Sequence, residues 1–356
     1  MPSNEFVTIK IAGGEYTGWK SVAYRATATS PERSFQLVGA KSDFMSASVT
    51  SWINQDCTIL SNGDLVMTGY VEDVEIEMDG SPNHEIRVTG KSRGADCVKC
   101  SVDHKTHEMR DVTVLDVAQA IDTPGIGYST DEQLPKIDVV RMNIGDTHLK
   151  VLDKLTRKQG LFLSSTKDGG VIITRHGKQR HSGGIIEGDN FLKGVARFSS
   201  GNRFEKVKVK GHKAHGTGKG AIRHEALKED SGARKGTVKV IVPKTQMEKG
   251  EAKEHAEHLA RTRFGDSTQL QAGLQGWRDQ GGQIWEIGWL VYCKVPSCEL
   301  DMDLAVNELN LTQNEHETIA QLMLVHPDAL GAKTGQKSAK WKPGGGAAWR
   351  NQLGNK

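Results

Sequence analysis

Four thiol and imidazole side chains fall within eleven residues. Cys97, Cys100, His104 and His107 read C-x2-C-x3-H-x2-H, a set of ligands suited to tetrahedral zinc. The middle spacer is far shorter than the usual dozen or so residues between ligand pairs, so a very tight loop would be needed. Structural thiols are the favoured reading and a metal site the alternative; an iron–sulfur site that adds Cys293 and Cys298 is a smaller remainder. His255 and His258 stand three apart on an expected helix, without the i, i+4 spacing of zinc proteases, and fit a solvated polar face. "GHKAHGTGKG" (211–220) lacks the G-x4-G-K-[ST] order of a phosphate cradle and reads as a flexible loop. Asp301 and Asp303 share one face of a strand with no acid or base partner, as alternation alone explains. No residue is assigned to catalysis and no cofactor is expected, so an enzyme is not the expectation.

The remaining candidates are contact residues. Trp341, Trp349 and Arg350 sit among Lys337, Lys340 and Lys342, and Trp and Arg are favoured interface anchors. Three readings stay open here: a solubilising end, a segment that orders against a protein partner, and a nucleic-acid contact through stacking and phosphate pairing.

Positioning such residues falls to a chain of 356 residues, long enough for two to three domains. No apolar run approaches a membrane span, and "MPSNEFVTIK" lacks the layout of a signal peptide, so folding in a reducing cytoplasm is expected. Five cysteines, an odd number, do not suggest a disulfide framework. The net charge of +3 is unevenly spread. Residues 331–356 hold six Lys/Arg and no acid, which leaves 41 basic against 44 acidic residues elsewhere. A slightly acidic body does not point at nucleic acid.

The texture divides the chain. Residues 1–98 read as short strands with turns at Gly13-Gly14, Asn62-Gly63 and Asp79-Gly80, a first small antiparallel β-barrel. Residues 99–187 read as an α/β module: a helix over 112–121 with Val114, Leu115, Ala118 and Ile121 on one face, capped by Asp111 or Thr113; a helix from Asp146 to Gln159 with Leu149, Leu152 and Leu155; then a hairpin, "LFLSS" to "VIITR". Residues 188–330 return to β texture, with a mobile loop expected at 211–236 and a helix over 246–263 opened by Thr245 and Glu248. Residues 331–356 read as a flexible basic tail. The fold class is mainly β with an α+β insertion, two similar barrels flanking the module.

Two stretches support that similarity. In "MTGYVEDVEIEMDG" (67–80), Met67, Gly69 and Val71 alternate; the rhythm then slips by one before Val74, Ile76 and Met78. In "MDLAVNELNLTQNE" (302–315), Met302, Leu304 and Val306 alternate, the slip falls at Asn307-Glu308, and Leu309 and Leu311 resume. Such a slip marks a β-bulge, which bends a long strand. Each is preceded by an apolar strand ("CTIL", "WLVYC") and followed by a partner, expected as Ile86 and Val88 in one case and Leu322 and Leu324 in the other. Duplication is the sharper reading; chance likeness of two amphipathic strands is the other.

The order β-barrel, "VLDKLTRKQGLFLSSTKDGGVIITR", "RFEKVKVKG" and "LQGWRDQGGQIWEIGWLVYCKV" resembles the baseplate hub proteins of Mu-like contractile-tailed phages, within the late-control-D family that also includes the N-terminal part of type VI secretion spike proteins. The likeness runs from about Phe6 to Pro327, and its most specific pieces are Gly276-Trp277 and the Gln283 to Val295 strand with Trp285 and Gly288. The resemblance implies a homotrimer whose two barrels per subunit form a ring of six. It would join a sixfold tail tube, or tube initiator, to a threefold spike, touch other baseplate proteins and line the channel for DNA exit. It implies a virion protein of the tail baseplate assembled in the host cytoplasm. The alternatives are a nucleic-acid-binding protein using the Lys-rich loop and the tail, and a peptidoglycan-cleaving tail component.

Overall fold

The computed structural model describes residues 5–40, 44, 48–78, 84–212, 223–243 and 249–332. Among them, no helix is long and apolar enough to cross a membrane.

The first seven strands follow from alternation. They are β1 (Val7–Ile11), β2 (Gly14–Tyr16), β3 (Ser21–Thr27), β4 (Arg33–Ala40), β5 (Asp56–Ser61), β6 (Asp64–Glu77) and β7 (Glu85–Lys91). In β3, Val22, Tyr24 and Ala26 are buried while Arg25 faces out, the period-two pattern of a half-buried strand. Asn62-Gly63 turns β5 into β6 with both φ positive, at 50° and 89°, the geometry that favours this dipeptide in tight hairpins. The hydrogen-bonded order is β3-β4-β7-β6-β5-β1-β2.

The α/β module follows: α1 (Ala95–Lys99), β8 (Glu108–Val112), α2 (Val114–Ala120), β9 (Tyr128–Thr130), β10 (Ile137–Arg141), α3 (His148–Lys158), β11 (Phe162–Ser165) and β12 (Val171–Thr174). Thr113 caps α2 in a capping box: its Oγ1 accepts from the Asp116 N–H at 3.2 Å, and Asp116 Oδ2 accepts from the Thr113 N–H at 2.7 Å. Val117 rather than Leu115 joins Val114, Ala118 and Ile121 inside. Thr147 caps α3, whose buried stripe is Val151, Leu152 and Leu155; Leu149 is only partly covered. Gly160, at φ 64°, stops it. The hairpin β11–β12 carries a parallel partner in β9.

The second β region comprises β13 (Arg180–Ile186), β14 (Phe191–Phe198), a small sheet of β15 (Lys206–His212), β16 (Arg223–Glu229) and β17 (Val238–Ile241), α4 (Lys249–Gly265), then β18 (Thr268–Gln275), β19 (Leu290–Val295), β20 (Leu300–Gln313) and β21 (Thr318–Val325). Residues 223–229 were expected within a surface loop but form β16, paired with β15 from Lys206↔Glu229 to His212↔Arg223. "RHEALKE" has no alternating apolar pattern because β16 is an edge strand needing only Ala226 inside, where Val209, Ala252 and Ala256 meet it.

β14-β18-β21-β20-β19 repeats the order of β3-β4-β7-β6-β5, and β20 also pairs with β3. One 13-stranded sheet therefore runs through both regions. No pairing among the described residues closes either region into a separate barrel. The structure is mainly β with an α+β insertion, and a single apolar cluster spans both ends of the sheet.

Candidate functional site

The two irregular strands are the same object. β6 and β20 each contain 14 residues. Against β7 the register jumps between Val71 and Asp73, leaving Glu72 as the extra residue; against β21 it jumps between Val306 and Glu308, leaving Asn307. The anchors also repeat. Val71 donates to the Gln55 carbonyl at 3.1 Å and accepts from the Asn54 N–H at 2.9 Å; Val306 donates to the Trp289 carbonyl at 3.0 Å and accepts from the Gly288 N–H at 2.7 Å. Asn54 (φ 64°) and Gly288 (φ 76°) are both left-handed, so the same sharp turn feeds each bend. At Gly288 a side chain is also barred by space, since a Cβ would lie 2.0 Å from His176 Nδ1. The partner strands are offset by two residues from the sequence expectation: Val88 opposes Val74 as Leu322 opposes Leu309, so Ile86 corresponds to Ala320 and Leu324 to Gly90.

The sheet has an apolar face and a polar one. On β20, Leu309 and Leu311 point into the core while Glu308 and Asn310 face away. The outward face holds a groove of about 460 Å³ with Arg25, Lys193, Gln271, Glu308, Asn310 and Gln321 in its lining. Both signs of charge line it.

A buried ion pair locks the parts together. Arg33, on β4, sends Nη2 to Glu286 Oε1 at 2.7 Å and to the Ser165 carbonyl at 2.7 Å; its Nη1 donates to the Tyr24 hydroxyl at 2.7 Å. Lys167 Nζ approaches Glu286 Oε2 at 3.4 Å. Burial alone would push the Glu286 carboxyl up, but Arg33 and Lys167 outweigh it and hold the group below the ordinary carboxylate range. Burial pushes the Tyr24 hydroxyl up, so it stays protonated. This one network ties the first strands, the module and the second strands.

Beside it, His181 Nδ1 lies 2.9 Å from Asp279 Oδ2, a pair that resembles a catalytic dyad. Its Nε2 accepts the Glu286 backbone N–H at 3.1 Å, and its side chain is fully buried between Trp285 and Trp289. Burial lowers its pKa, and the neutral ring has no nitrogen left for a substrate. It positions the loop before β19.

The expected metal set is not brought together: among the described residues, no group of three or more His, Cys, Asp or Glu converges. Cys97 is fully buried in the module core, and burial pushes its thiol up to about 11. Cys100 is half-buried; His104 Nδ1 lies 3.4 Å from Thr106 Oγ1; His107 is left-handed at φ 49°. Cys293 faces the core of the second strands, away from that module. His255 and His258 are half-buried rather than solvated, with His258 against Gly160 and Phe162. Asp301 accepts from the Tyr292 hydroxyl at 2.7 Å, and Asp303 from Arg180 Nη1 at 2.8 Å. Trp341, Trp349, Arg350, Thr245 and Glu248 lie outside the described residues. Sequence reading missed Arg33, Glu286 and the β20–β3 pairing, since neither a lone buried charge nor a long-range strand contact leaves a local pattern.

Three family models match in succession: the N-terminal domain of Mu phage baseplate assembly protein GpP-like proteins over residues 6–92, the second domain of baseplate hub protein gp44-like proteins over 94–175, and the fourth domain of Mu phage baseplate assembly protein GpP over 248–333. Baseplate hub protein gp44 of Escherichia phage Mu is 21% identical over 337 residues, 90% of this chain and 87% of that one. The 43 kDa tail protein of prophage MuSo2 from Shewanella oneidensis has the same fold, with TM-score 0.78, 24% identity and coverage of 92% of this chain and 99% of that one. An Escherichia coli component of the type VI secretion system matches with TM-score 0.58 at 9% identity, over 89% of this chain and 76% of that one.

Proposed function

Since the chain belongs to the family of Mu-like phage baseplate hub proteins and is a structural protein of the tail, we propose that three copies form an adaptor joining a sixfold tail tube to a threefold central spike. The observation that carries this reading is the repeated bent strand, one copy at each end of the chain. Rigid protein surfaces of unequal symmetry match poorly. A trimer whose subunits each present two like sheets offers six similar backbones to one neighbour and three identical subunits to the other. Only backbone shape need repeat at the ring, so Gly69 can stand where Leu304 stands in the second copy. The working parts in this proposal are 1–98, 99–187 and 188–330, with 331–356 reaching other baseplate proteins. Assembly takes place in the host cytoplasm.

The polar face of the sheet would line the central channel. Its mixture of Arg25, Lys193, Glu308 and Asn310 suits a passage for DNA better than a binding site, because an unbroken basic surface would hold the phosphate backbone. Native mass measurement of the purified chain, alone and with the neighbouring spike gene product, tests the reading. The expected species is three times the 38.9 kDa chain. A chain that stays monomeric in both would remove it.

A further inference from the structure

The small sheet β16-β15-β17 has two edges of opposite character. Its central strand β15 pairs on both sides, and α4 covers one face through Val209, Ala226, Ala252 and Ala256. On the other face, the edge strand β16 carries Glu225 and Glu229, which serve Lys206, Lys208 and Lys210 of β15. Charge guards that edge, as soluble proteins commonly arrange. β17 has no such guard. Val238 and Val240 are each 47% exposed, and Val242, just past the strand, is 64% exposed. Three β-branched residues thus follow one another, every second position, along an edge that pairs with β15 alone among the described residues.

The backbone of this edge is open as well. β15 and β17 run parallel with Lys206 opposite Val238, and the Lys206 N–H donates to the Thr237 carbonyl at 3.1 Å. In such a ladder the odd-numbered residues of β17 turn their N–H and C=O groups toward β15. Val238 and Val240 therefore turn theirs outward. Unmade backbone bonds beside an apolar row form a template for one more strand. We infer that β17 accepts an added strand from another protein, an extended segment in which apolar and acidic residues alternate.

The alternation follows from what each face of the edge presents. Side chains on one face of the added strand lie beside Val238, Val240 and Val242, so they must be apolar. Those on the other face meet Lys239, whose Nζ lies 5.9 Å from the centre of the Phe204 ring. Exposed Arg234 and Lys235 lead into the strand and add to the positive charge there. The neighbouring acid is already engaged: Glu205 Oε2 accepts the Gly236 N–H at 2.6 Å. Carboxylates on the incoming strand complement that surplus. The contact is independent of the trimeric reading, because the small sheet shares no strand pairing with the 13-stranded one.

A short fluorescent peptide of alternating Val and Glu tests the edge, with binding to the full chain read by anisotropy at pH 7. Saturable binding is expected. The same peptide with Lys in place of Glu should bind about tenfold more weakly. A version N-methylated at every second amide, which cannot complete the ladder, should not bind. Val240→Pro removes one outward N–H and spares the bonds to β15, so it should weaken binding about tenfold and leave the melt unchanged. Lys239→Glu should reverse the preference between the two charged peptides. Equal binding of both, or undiminished binding of the N-methylated form, overturns the added strand. So does binding that appears only once 333–356 is deleted, which would give the edge to the chain's own tail. Self-association abolished by Val240→Pro would give it to a second copy and likewise overturn the proposal. A trimeric native mass without peptide binding removes the added strand and leaves the trimer standing; a monomer that binds the peptide does the reverse.

Discussion

Arg33 and Glu286 bear more structural consequence than any thiol or imidazole in the chain. Their side chains are 2% and 9% exposed, and desolvating two charges is costly unless each keeps its partner. Arg33→Met should therefore lose about 3–5 kcal/mol of unfolding free energy by urea titration. Arg33→Met combined with Glu286→Leu should recover most of that loss, because no uncompensated charge is left and Lys167, at 25% exposure, can turn to solvent. Equal destabilisation of the single and double variants would contradict the argument. Two histidines give a second test. Burial drives His176 and His258 down to about 4 from the ordinary 6.5, so the folded chain keeps them neutral where the unfolded chain takes up protons. Stability should fall as pH drops from 6.5 towards 4. His258→Leu should flatten part of the fall between pH 6.5 and 5, a window above the acid range in which Glu286 titrates. Urea midpoints at pH 7 and 5 decide it, and an unchanged slope would count against His258.

Strands and helices were legible wherever a local pattern had to serve a buried face. The slips after Val71 and at Asn307-Glu308 fall where the bulges lie, and of the two caps offered, Asp111 and Thr113, it is Thr113 that opens α2. β16 was not legible, because an edge strand that buries one alanine needs no alternation. Nor was the pairing of β3 with β20, which lie about 280 residues apart in sequence and share no motif; only the outcome, two-sided burial of Leu309 and Leu311, reveals it. The bulges give this scale its prediction. Removing Asn307 would leave Val306, Glu308 and Leu309 in plain alternation, so Leu309 and Leu311 stay inside, while the bend and the Ala28 N–H bond to the Asn307 carbonyl are lost. The deletion variant should still fold but lose about 1–3 kcal/mol of unfolding free energy, whereas Asn307→Ala, which keeps the extra residue, should cost less than about 1 kcal/mol. A deletion variant as stable as Asn307→Ala would mean that the bend does not help hold β20 between β21 and β3.

The sheet, its joining strand pair and the Arg33–Glu286 lock bind the described residues into one scaffold, while Trp341, Trp349 and Arg350 lie beyond the scaffold's last described residue, Ala332. The two bent strands that carry the trimeric proposal fall within 5–332, so deleting 333–356 should leave both the melt and the native mass unchanged. The deletion removes two tryptophans and six Lys/Arg, so it should weaken binding to the spike gene product if those residues anchor a partner. Duplex DNA binding separates that role from a nucleic-acid contact. Neutralising phosphates releases counterions, so a tail that grips DNA would show affinity falling steeply with salt, and the truncated chain would lose that slope. The mixed charge of the sheet's polar face and the slightly acidic body argue for the opposite result: weak DNA binding, nearly indifferent to the truncation. A steep salt dependence that vanishes with residues 333–356 would instead make the tail a DNA contact and return the spike to the scaffold alone.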